Sequence, residues 1–130
     1  LPVMVAKGGG VILSTTSGAG TGAVNGLAVY GAAKAGVNSL MRSIAIEYGR
    51  KGIRANAIAP SAASTGMIQW LESTPGGVKG FAEAQPMGRL GTPEDIASVV
   101  AFLASEHAGF VNGVVLPVDG GVEAMLAVPG

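Results

Sequence analysis

One short run of apolar and β-branched residues, Val11–Thr16, constrains the fold of this chain more than any other feature. It follows three consecutive glycines and indicates a strand buried on both faces. Such strands are typical of parallel sheets, in which other strands pair with both edges. Two later runs, Ile53–Ala59 and Val114–Val118, predict further strands, the first cut by Pro60 and the second ended by Asp119 and two glycines.

Two helices are predicted between these strands. Leu27–Arg50 ends in two cations and Gly52, which is typical of a helix terminus. Its apolar residues at helical spacing are Ala33, Val37, Leu40, Met41, Ile44, Ala45 and Tyr48. A second helix begins at Thr92-Pro93-Glu94-Asp95, a capping hydroxyl followed by proline and two acids, and runs to about Ser105. Alternating strands and helices predict an α/β fold with right-handed crossovers.

Composition excludes several classes of function. The chain has 130 residues, enough for one domain, and its charged residues are 12% with a net charge of zero, so no basic surface for nucleic acid or an anionic membrane is expected. Without cysteine and with His107 as the one histidine, no metal site is expected. The longest apolar stretch, Ile96–Ala104, is too short to cross a bilayer, and no signal peptide is recognisable, so a cytoplasmic location is expected.

Ser17, Tyr30 and Lys34 are the candidate catalytic residues. Tyr30 and Lys34 are four residues apart on the predicted long helix, so their side chains share one face. A phenol titrates near pH ~10 in water, and a neighbouring ammonium stabilises the phenolate, which favours general acid–base chemistry. Ser17 and Pro60 follow two predicted strands at their carboxyl ends, where ligands of open α/β sheets bind.

The motifs of the chain, in their order, are similar to those of the short-chain dehydrogenase/reductases, in which a serine precedes the tyrosine by thirteen residues, as Ser17 precedes Tyr30. The segments that carry the resemblance are Gly10–Ser17, Tyr30–Lys34, Asn56–Pro60, Gly88–Ala97 and Val118–Gly121. The resemblance implies the carboxyl-terminal half of a Rossmann-type doubly wound parallel sheet. Residues 1–130 are then a partial dinucleotide-binding oxidoreductase domain without its amino-terminal half, since the family's glycine-rich first turn comes earlier. The glycines at 18–22 superficially suggest a dinucleotide-binding turn, but the helix that carries Tyr30 follows them directly. They are therefore expected to form a flexible loop on the substrate side.

The resemblance implies hydride transfer between NAD or NADP and a ketone or secondary alcohol. Tyr30 would be the general acid in reduction and the base in oxidation, and would contact both the cofactor and the substrate. Lys34 would assist it and hold the nicotinamide ribose, and Ser17 would donate a hydrogen bond to the substrate oxygen. The choice of NAD or NADP would be set in the amino-terminal half. The structural alternatives are a core tyrosine, a solvated lysine and a turn-forming serine.

Residues 60–65 match the family's nicotinamide loop, which implies cofactor contacts from Pro60, Ser61, Ala63 and Thr65. Ser61 stands where the family usually has glycine, so a positive φ there would strain the backbone. Residues 66–87 match the variable substrate lid, with Met67 and Trp70 as candidate substrate contacts. Core packing of these residues and of their neighbours Ile68 and Leu71 is the alternative.

Several other residues are expected to be structural. Arg89 and Asp95 are explained by an ion pair and a helix cap, Asp119 by a turn, and His107 by a surface position after a helix. The apolar face of the long helix exceeds what one sheet face needs, which favours a homodimer or homotetramer that packs this helix against its copy. Two rival hypotheses remain: a catalytically silent fragment that acts only in assembly, and an epimerase or dehydratase that uses the same tyrosine and lysine. Residues 1–130 alone are expected to be inactive.

Overall fold

The computed structural model describes residues 1–61 and 65–125. Its helices are α1 (Pro2–Ala6), α2 (Ala28–Tyr48), α3 (Thr65–Glu72), α4 (Gly77–Glu83) and α5 (Pro93–Ala104), and its strands are β1 (Gly10–Thr15), β2 (Ile53–Pro60) and β3 (Val115–Val118). Short 3₁₀ turns lie at Gly18–Gly20, Gly49–Lys51, Glu106–Ala108 and Val122–Ala124. Strands alternate with helices, which confirms the predicted α/β class.

The three strands form one parallel sheet in the order β1-β2-β3. Gly10 pairs with Ile53 at one end of the first ladder, and Pro60 pairs with Val118 at the end of the second. β2 is the central strand and is largely buried, as expected for a parallel sheet. Among the described residues β1 pairs with β2 alone, so its outer edge is open.

Helices cover both faces of the sheet. Because side chains alternate along a strand, Ile53, Ala55 and Ala57 share one face of β2, and they pack against Met41, Ile44 and Ala45 of α2. On the opposite face Ile58 packs against Leu103 of α5 and Ala108. The sheet is therefore sandwiched between α2 and α5, the layering of a doubly wound fold.

The predicted element boundaries are close, with small corrections. β1 begins and ends one residue earlier than predicted, and β2 includes Pro60, which is in register with Val118 of β3. The long helix ends at Tyr48 and continues into the 3₁₀ turn Gly49–Lys51. Gly52, with φ +78°, then terminates the helical segment, as predicted. Helix α4 is not predicted, because its two glycines give it low helix propensity.

Long-range hydrogen bonds from three side chains join the loop before β3 to β2 and α2. The Asn56 amide, completely buried, donates to the Val111 carbonyl at 3.0 Å and accepts from the Val114 N–H at 3.0 Å. Asn112 accepts from the Ala55 N–H at 2.8 Å and donates to the Ala45 carbonyl at 3.2 Å. The Arg54 guanidinium donates to the carbonyls of Leu103, Ser105 and Val111. These contacts hold β3 beside β2.

Arg89 and Asp95 have the structural roles predicted for them. The two side chains form a bidentate ion pair, with N···O distances of 2.6 and 3.1 Å, and Asp95 completes a capping box with Thr92 at the start of α5. The hydrogen bond from Arg89, together with that from the Thr92 N–H, holds the pKa of Asp95 well below its usual range. Asp119 accepts from the N–H groups of Gly121 and Glu123, which confirms its turn role. His107 is exposed, in the turn after α5, as predicted.

Candidate active site at the carboxyl end of the sheet

Ser17 lies directly beyond the end of β1 and caps the 3₁₀ turn Gly18–Gly20. Its hydroxyl oxygen accepts a hydrogen bond from the Ala19 N–H at 3.2 Å, and its carbonyl accepts from the Gly20 N–H at 2.8 Å. Because the Ala19 contact uses a lone pair of the hydroxyl, its proton is available to donate elsewhere. Ser17 is half-buried.

Tyr30 and Lys34 lie in the first two turns of α2. The Lys34 ammonium nitrogen is 5.6 Å from the centroid of the Tyr30 ring. It also donates to the Thr15 carbonyl, at 3.2 Å, so it is tied to the last residue of β1. The Tyr30 side chain is 42% exposed and therefore accessible to a ligand. The serine, tyrosine and lysine thus all lie at the carboxyl end of β1, with one positive charge beside the tyrosine.

The turn that carries Ser17 packs directly on the backbone of α2. A Cβ placed on Gly20 would lie 2.8 Å from the Lys34 carbonyl carbon, and one placed on Gly31 would lie 2.7 Å from the Ala19 oxygen. Only glycine permits such an approach at both positions. Gly18–Gly20 thus form a 3₁₀ turn in close contact with α2, within the segment that the sequence analysis expected to be a loop.

The residues assigned to the nicotinamide loop lie at the end of β2. Pro60 is the last residue of the strand, and the Ser61 hydroxyl, which is half-buried, donates to the Gln85 side-chain oxygen at 3.4 Å. Among the described residues positive φ occurs only at glycines, so Ser61 does not carry the predicted strain. Ala63 and the Thr65 side chain lie outside what the structure describes.

The predicted lid, residues 66–87, is described throughout. It comprises α3, α4 and the segment that leads toward α5. Met67 and Trp70 are 37% and 54% exposed on α3, whereas Leu71 of the same helix is buried and belongs to the core. At its carboxyl end Pro86 and Met87 lie against Gly121 and Gly120 of the turn after β3. The lid is therefore anchored at that end, while part of its α3 surface is exposed.

Two cavities lie near the site but do not contain its three central residues. One, of about 390 Å³, lies between residues 19–24 and the start of α2, and the other, of about 530 Å³, lies beside Asp119 and Gly120. Ser17, Tyr30 and Lys34 line neither cavity; Tyr30 is exposed, and Ser17 and Lys34 are half-buried.

Within residues 1–61 and 65–125, no group of three or more histidine, cysteine, aspartate or glutamate side chains could hold a metal ion. None of the helices in those ranges is both long and apolar enough to span a membrane.

Comparison with known proteins identifies the family. Residues 1–123 match a family model described as enoyl-(acyl carrier protein) reductase. The cis-4-hydroxycyclohexanecarboxylate dehydrogenase of Sinomonas cyclohexanicum is 45% identical over 123 residues, which are 94% of this chain and 48% of that protein. The chain therefore belongs to the short-chain dehydrogenase/reductase family.

Solved structures of this family have the same fold. A gluconate 5-dehydrogenase of Burkholderia cenocepacia, in complex with NADP and tartrate, has a TM-score of 0.90 at 31% identity over 96% of this chain and 49% of its own. A 7α-hydroxysteroid dehydrogenase, in complex with NADH and 7-oxo glycochenodeoxycholic acid, has a TM-score of 0.84 at 39% identity over 92% of this chain and 47% of its own. The chain spans about half the length of the relatives it matches.

The structure also contains site features that the sequence analysis missed. Asn38 of α2 is 2% exposed and donates from its side-chain nitrogen to the Gly20 carbonyl at 3.1 Å. Gln85 is buried beside Ser61. The available signal for Asn38 is its position four residues after Lys34, which places it on the face of α2 that also carries Tyr30.

Proposed function

We propose that this chain provides the proton-transfer part of an NAD(P)-dependent oxidoreductase that interconverts a ketone and a secondary alcohol. One observation carries the proposal: the Lys34 ammonium, held by the Thr15 carbonyl at 3.2 Å, lies beside the Tyr30 ring at the carboxyl end of β1. Ser17 is at the same strand end with its hydroxyl proton unused by the Ala19 contact. An acid, a fixed cation and a hydrogen-bond donor are the groups that carbonyl reduction needs.

Tyr30 is the proposed general acid and base. When bound, the dinucleotide supplies a hydride to the carbonyl carbon or accepts one from the alcohol. In reduction the Tyr30 hydroxyl donates its proton to the carbonyl oxygen, the O–H bond of the alcohol forms, and Tyr30 is left as phenolate. Its side chain is 42% exposed, so solvent can return the proton. In oxidation the same oxygen removes the alcohol proton.

Lys34 is the proposed cofactor-side residue. Its ammonium has three N–H donors, and the contact with Thr15 uses one, so the remaining donors fit the hydroxyls of the nicotinamide ribose. The same ammonium nitrogen lies 5.6 Å from the centroid of the Tyr30 ring, which places one positive charge beside the proposed acid. Lys34 therefore serves both binding and proton transfer.

Ser17 is the proposed donor to the substrate oxygen. Its own oxygen is fixed by the Ala19 N–H, which leaves the hydroxyl proton to polarise the carbonyl and to stabilise the negative charge that develops on it. Since the Gly18–Gly20 turn is packed on α2, this donor is already oriented before substrate binds. Preorganisation of this kind avoids reorganisation cost during the reaction.

The remaining contacts with the nicotinamide and the substrate are proposed from the positions of the residues in the fold. Pro60 and Ser61 at the end of β2, with Ala63 and Thr65 beyond it, would hold the nicotinamide, and residues 66–87 would form the substrate lid. Met67 and Trp70 offer partly exposed side chains on α3 for substrate contact. A ketone or secondary alcohol and NAD or NADP are proposed because the relatives named above are dehydrogenases, two of them in complex with NADP or NADH.

We further propose that the chain is the carboxyl-terminal half of the catalytic domain and that the intact protein is a cytoplasmic homodimer or homotetramer. The open outer edge of β1 supports the first point, because an unpaired strand edge in a parallel sheet is available for another strand. Leu40 and Ile46 of α2, 54% and 83% exposed, support the second, since they extend the apolar surface of that helix away from the sheet.

Nicotinamide absorbance tests the proposed function. The intact protein, with whatever sequence flanks these residues, is assayed with NADH and NADPH against cyclic and linear ketones and their alcohols. We expect turnover that depends on one or both dinucleotides and is reversible, whereas residues 1–130 alone should show none. Absence of both turnover and dinucleotide binding in the intact protein would contradict the proposal and favour a silent assembly module.

A further inference from the structure

Asn38 is a buried polar side chain beside the candidate site. It lies on α2 one turn beyond Lys34 and is 2% exposed. Its amide faces the Gly20 carbonyl at 3.1 Å, and because a carbonyl only accepts hydrogen bonds, the group that faces it must be the amide nitrogen. Asn38 is therefore a donor fixed to the turn that follows β1.

This contact leads directly to Ser17. The N–H of Gly20, whose carbonyl Asn38 holds, donates to the Ser17 carbonyl at 2.8 Å. Within the same turn the Ala19 N–H donates to the Ser17 hydroxyl oxygen at 3.2 Å. Movement of Gly20 would therefore change the orientation of the Ser17 hydroxyl.

The energetics of Asn38 argue against a merely space-filling role. Its side-chain oxygen is buried and has no hydrogen-bond partner among the described residues. A buried unpaired polar atom is unfavourable, and an apolar side chain of similar volume would avoid that cost. The benefit of asparagine at this position thus lies in the bond from its nitrogen to the Gly20 carbonyl.

We propose that Asn38 is a positioning residue for Ser17: its amide holds the Gly20 carbonyl and so sets the direction in which the Ser17 hydroxyl donates. The inference rests on the proposed function, in which Ser17 polarises the substrate oxygen. Without the Asn38 donor the Gly20 carbonyl turns toward water, the turn shifts, and Ser17 donates less well in the transition state.

A double-mutant cycle on the intact protein tests this inference, with Asn38→Leu, Ser17→Ala and the combined variant. Loss of an oriented donor costs roughly 100- to 1,000-fold in kcat, so we expect that loss for Ser17→Ala and about tenfold for Asn38→Leu, with KM little changed. In the Ser17→Ala background Asn38→Leu should have no further effect, because its target is gone. Asn38→Ala is the second variant if leucine prevents folding.

Asn112→Leu is the matched control. The Asn112 side chain also forms hydrogen bonds with two backbone groups, the Ala55 N–H and the Ala45 carbonyl. Ala45 is on α2, fifteen residues after Tyr30. Its loss should lower thermal stability and leave kcat unchanged. An equal effect of Asn38→Leu with and without Ser17, or no effect at all, would overturn the inference while the proposed function stands. An unchanged kcat in Ser17→Ala would overturn this inference together with the proposed role of Ser17, while dinucleotide-dependent turnover would still support the proposed oxidoreductase.

Discussion

The carbonyl oxygen of Ala19 lies against Gly31, so closely that a Cβ on Gly31 would be 2.7 Å from it. This contact joins the turn that carries Ser17 to the helical turn that begins with Tyr30. Since neither backbone can move closer, the relative position of the serine and the tyrosine is set by main-chain packing. The candidate site is thus fixed by small residues that perform no chemistry themselves.

Gly31→Ala should therefore destabilise the chain by about 1–3 kcal/mol and reduce turnover, because the added methyl pushes the turn away from α2. Gly36→Ala, also in α2, is the matched control. A Cβ at position 36 meets no described atom within 4 Å. Gly36→Ala should therefore raise the free energy of unfolding by about 0.5–1 kcal/mol, because alanine has the higher helix propensity. Chemical denaturation of both variants measures the difference. Equal stability changes would contradict the close approach.

Lys34→Met should weaken dinucleotide binding and lower kcat, by about 100-fold or more, because it removes the ammonium and keeps the length of the side chain. Lys51→Met is the control, since the Lys51 ammonium lies 4.6 Å from the Tyr48 ring in a similar arrangement away from the site. Fluorescence titration with NADH and steady-state kinetics separate binding from turnover. If Lys34→Met matched the wild type in both, Lys34 would be an ordinary surface lysine.

Asp95→Asn should lower stability at pH 7, because it breaks the ion pair with Arg89 and the capping box. The pairing holds the pKa of Asp95 below its usual range, so its contribution is fully present above pH ~4 and is lost as the pH falls through the lower folded-state pKa. Wild type and variant should therefore converge in acid. Glu83→Gln, which breaks an exposed pair with Lys79, should change little at any pH. A constant difference between wild type and Asp95→Asn down to pH 2 would contradict the account.

Leu40→Glu should convert the intact protein to a smaller species, since Leu40 is 54% exposed on α2 and a charge in a buried interface is costly. Light scattering after size exclusion measures the mass. Val3→Glu, which also replaces an exposed apolar side chain by a carboxylate but on α1, should leave the mass unaltered. An unchanged mass in Leu40→Glu would mean that this face of α2 is not the interface.

Local signals in the sequence predict most of the fold. The Thr92-Pro93 cap begins α5, Gly52 ends the long helix, and the β-branched runs give all three strands to within a residue or two. Each of these signals depends on residues that are neighbours in the sequence, so it can be recognised without knowledge of the fold.

The contacts that hold the site together were not predictable in the same way. Asn38 bonds Gly20, eighteen residues away, and Asn112 bonds Ala45, sixty-seven residues away. Their partners are backbone groups, which every residue has, so no sequence pattern identifies them. The need for glycine at 20 and 31 likewise arises from the approach of two elements and becomes visible only in the fold.

Proton transfer by Tyr30 is tested by the variant Tyr30→Phe in the nicotinamide absorbance assay of the intact protein. The variant removes one oxygen and keeps the ring beside Lys34, so dinucleotide binding should persist while kcat falls by about 100- to 10,000-fold. Tyr48→Phe, which alters the other tyrosine near Lys51, should keep wild-type kcat. Full turnover in Tyr30→Phe, or an equal loss in both variants, would contradict the account.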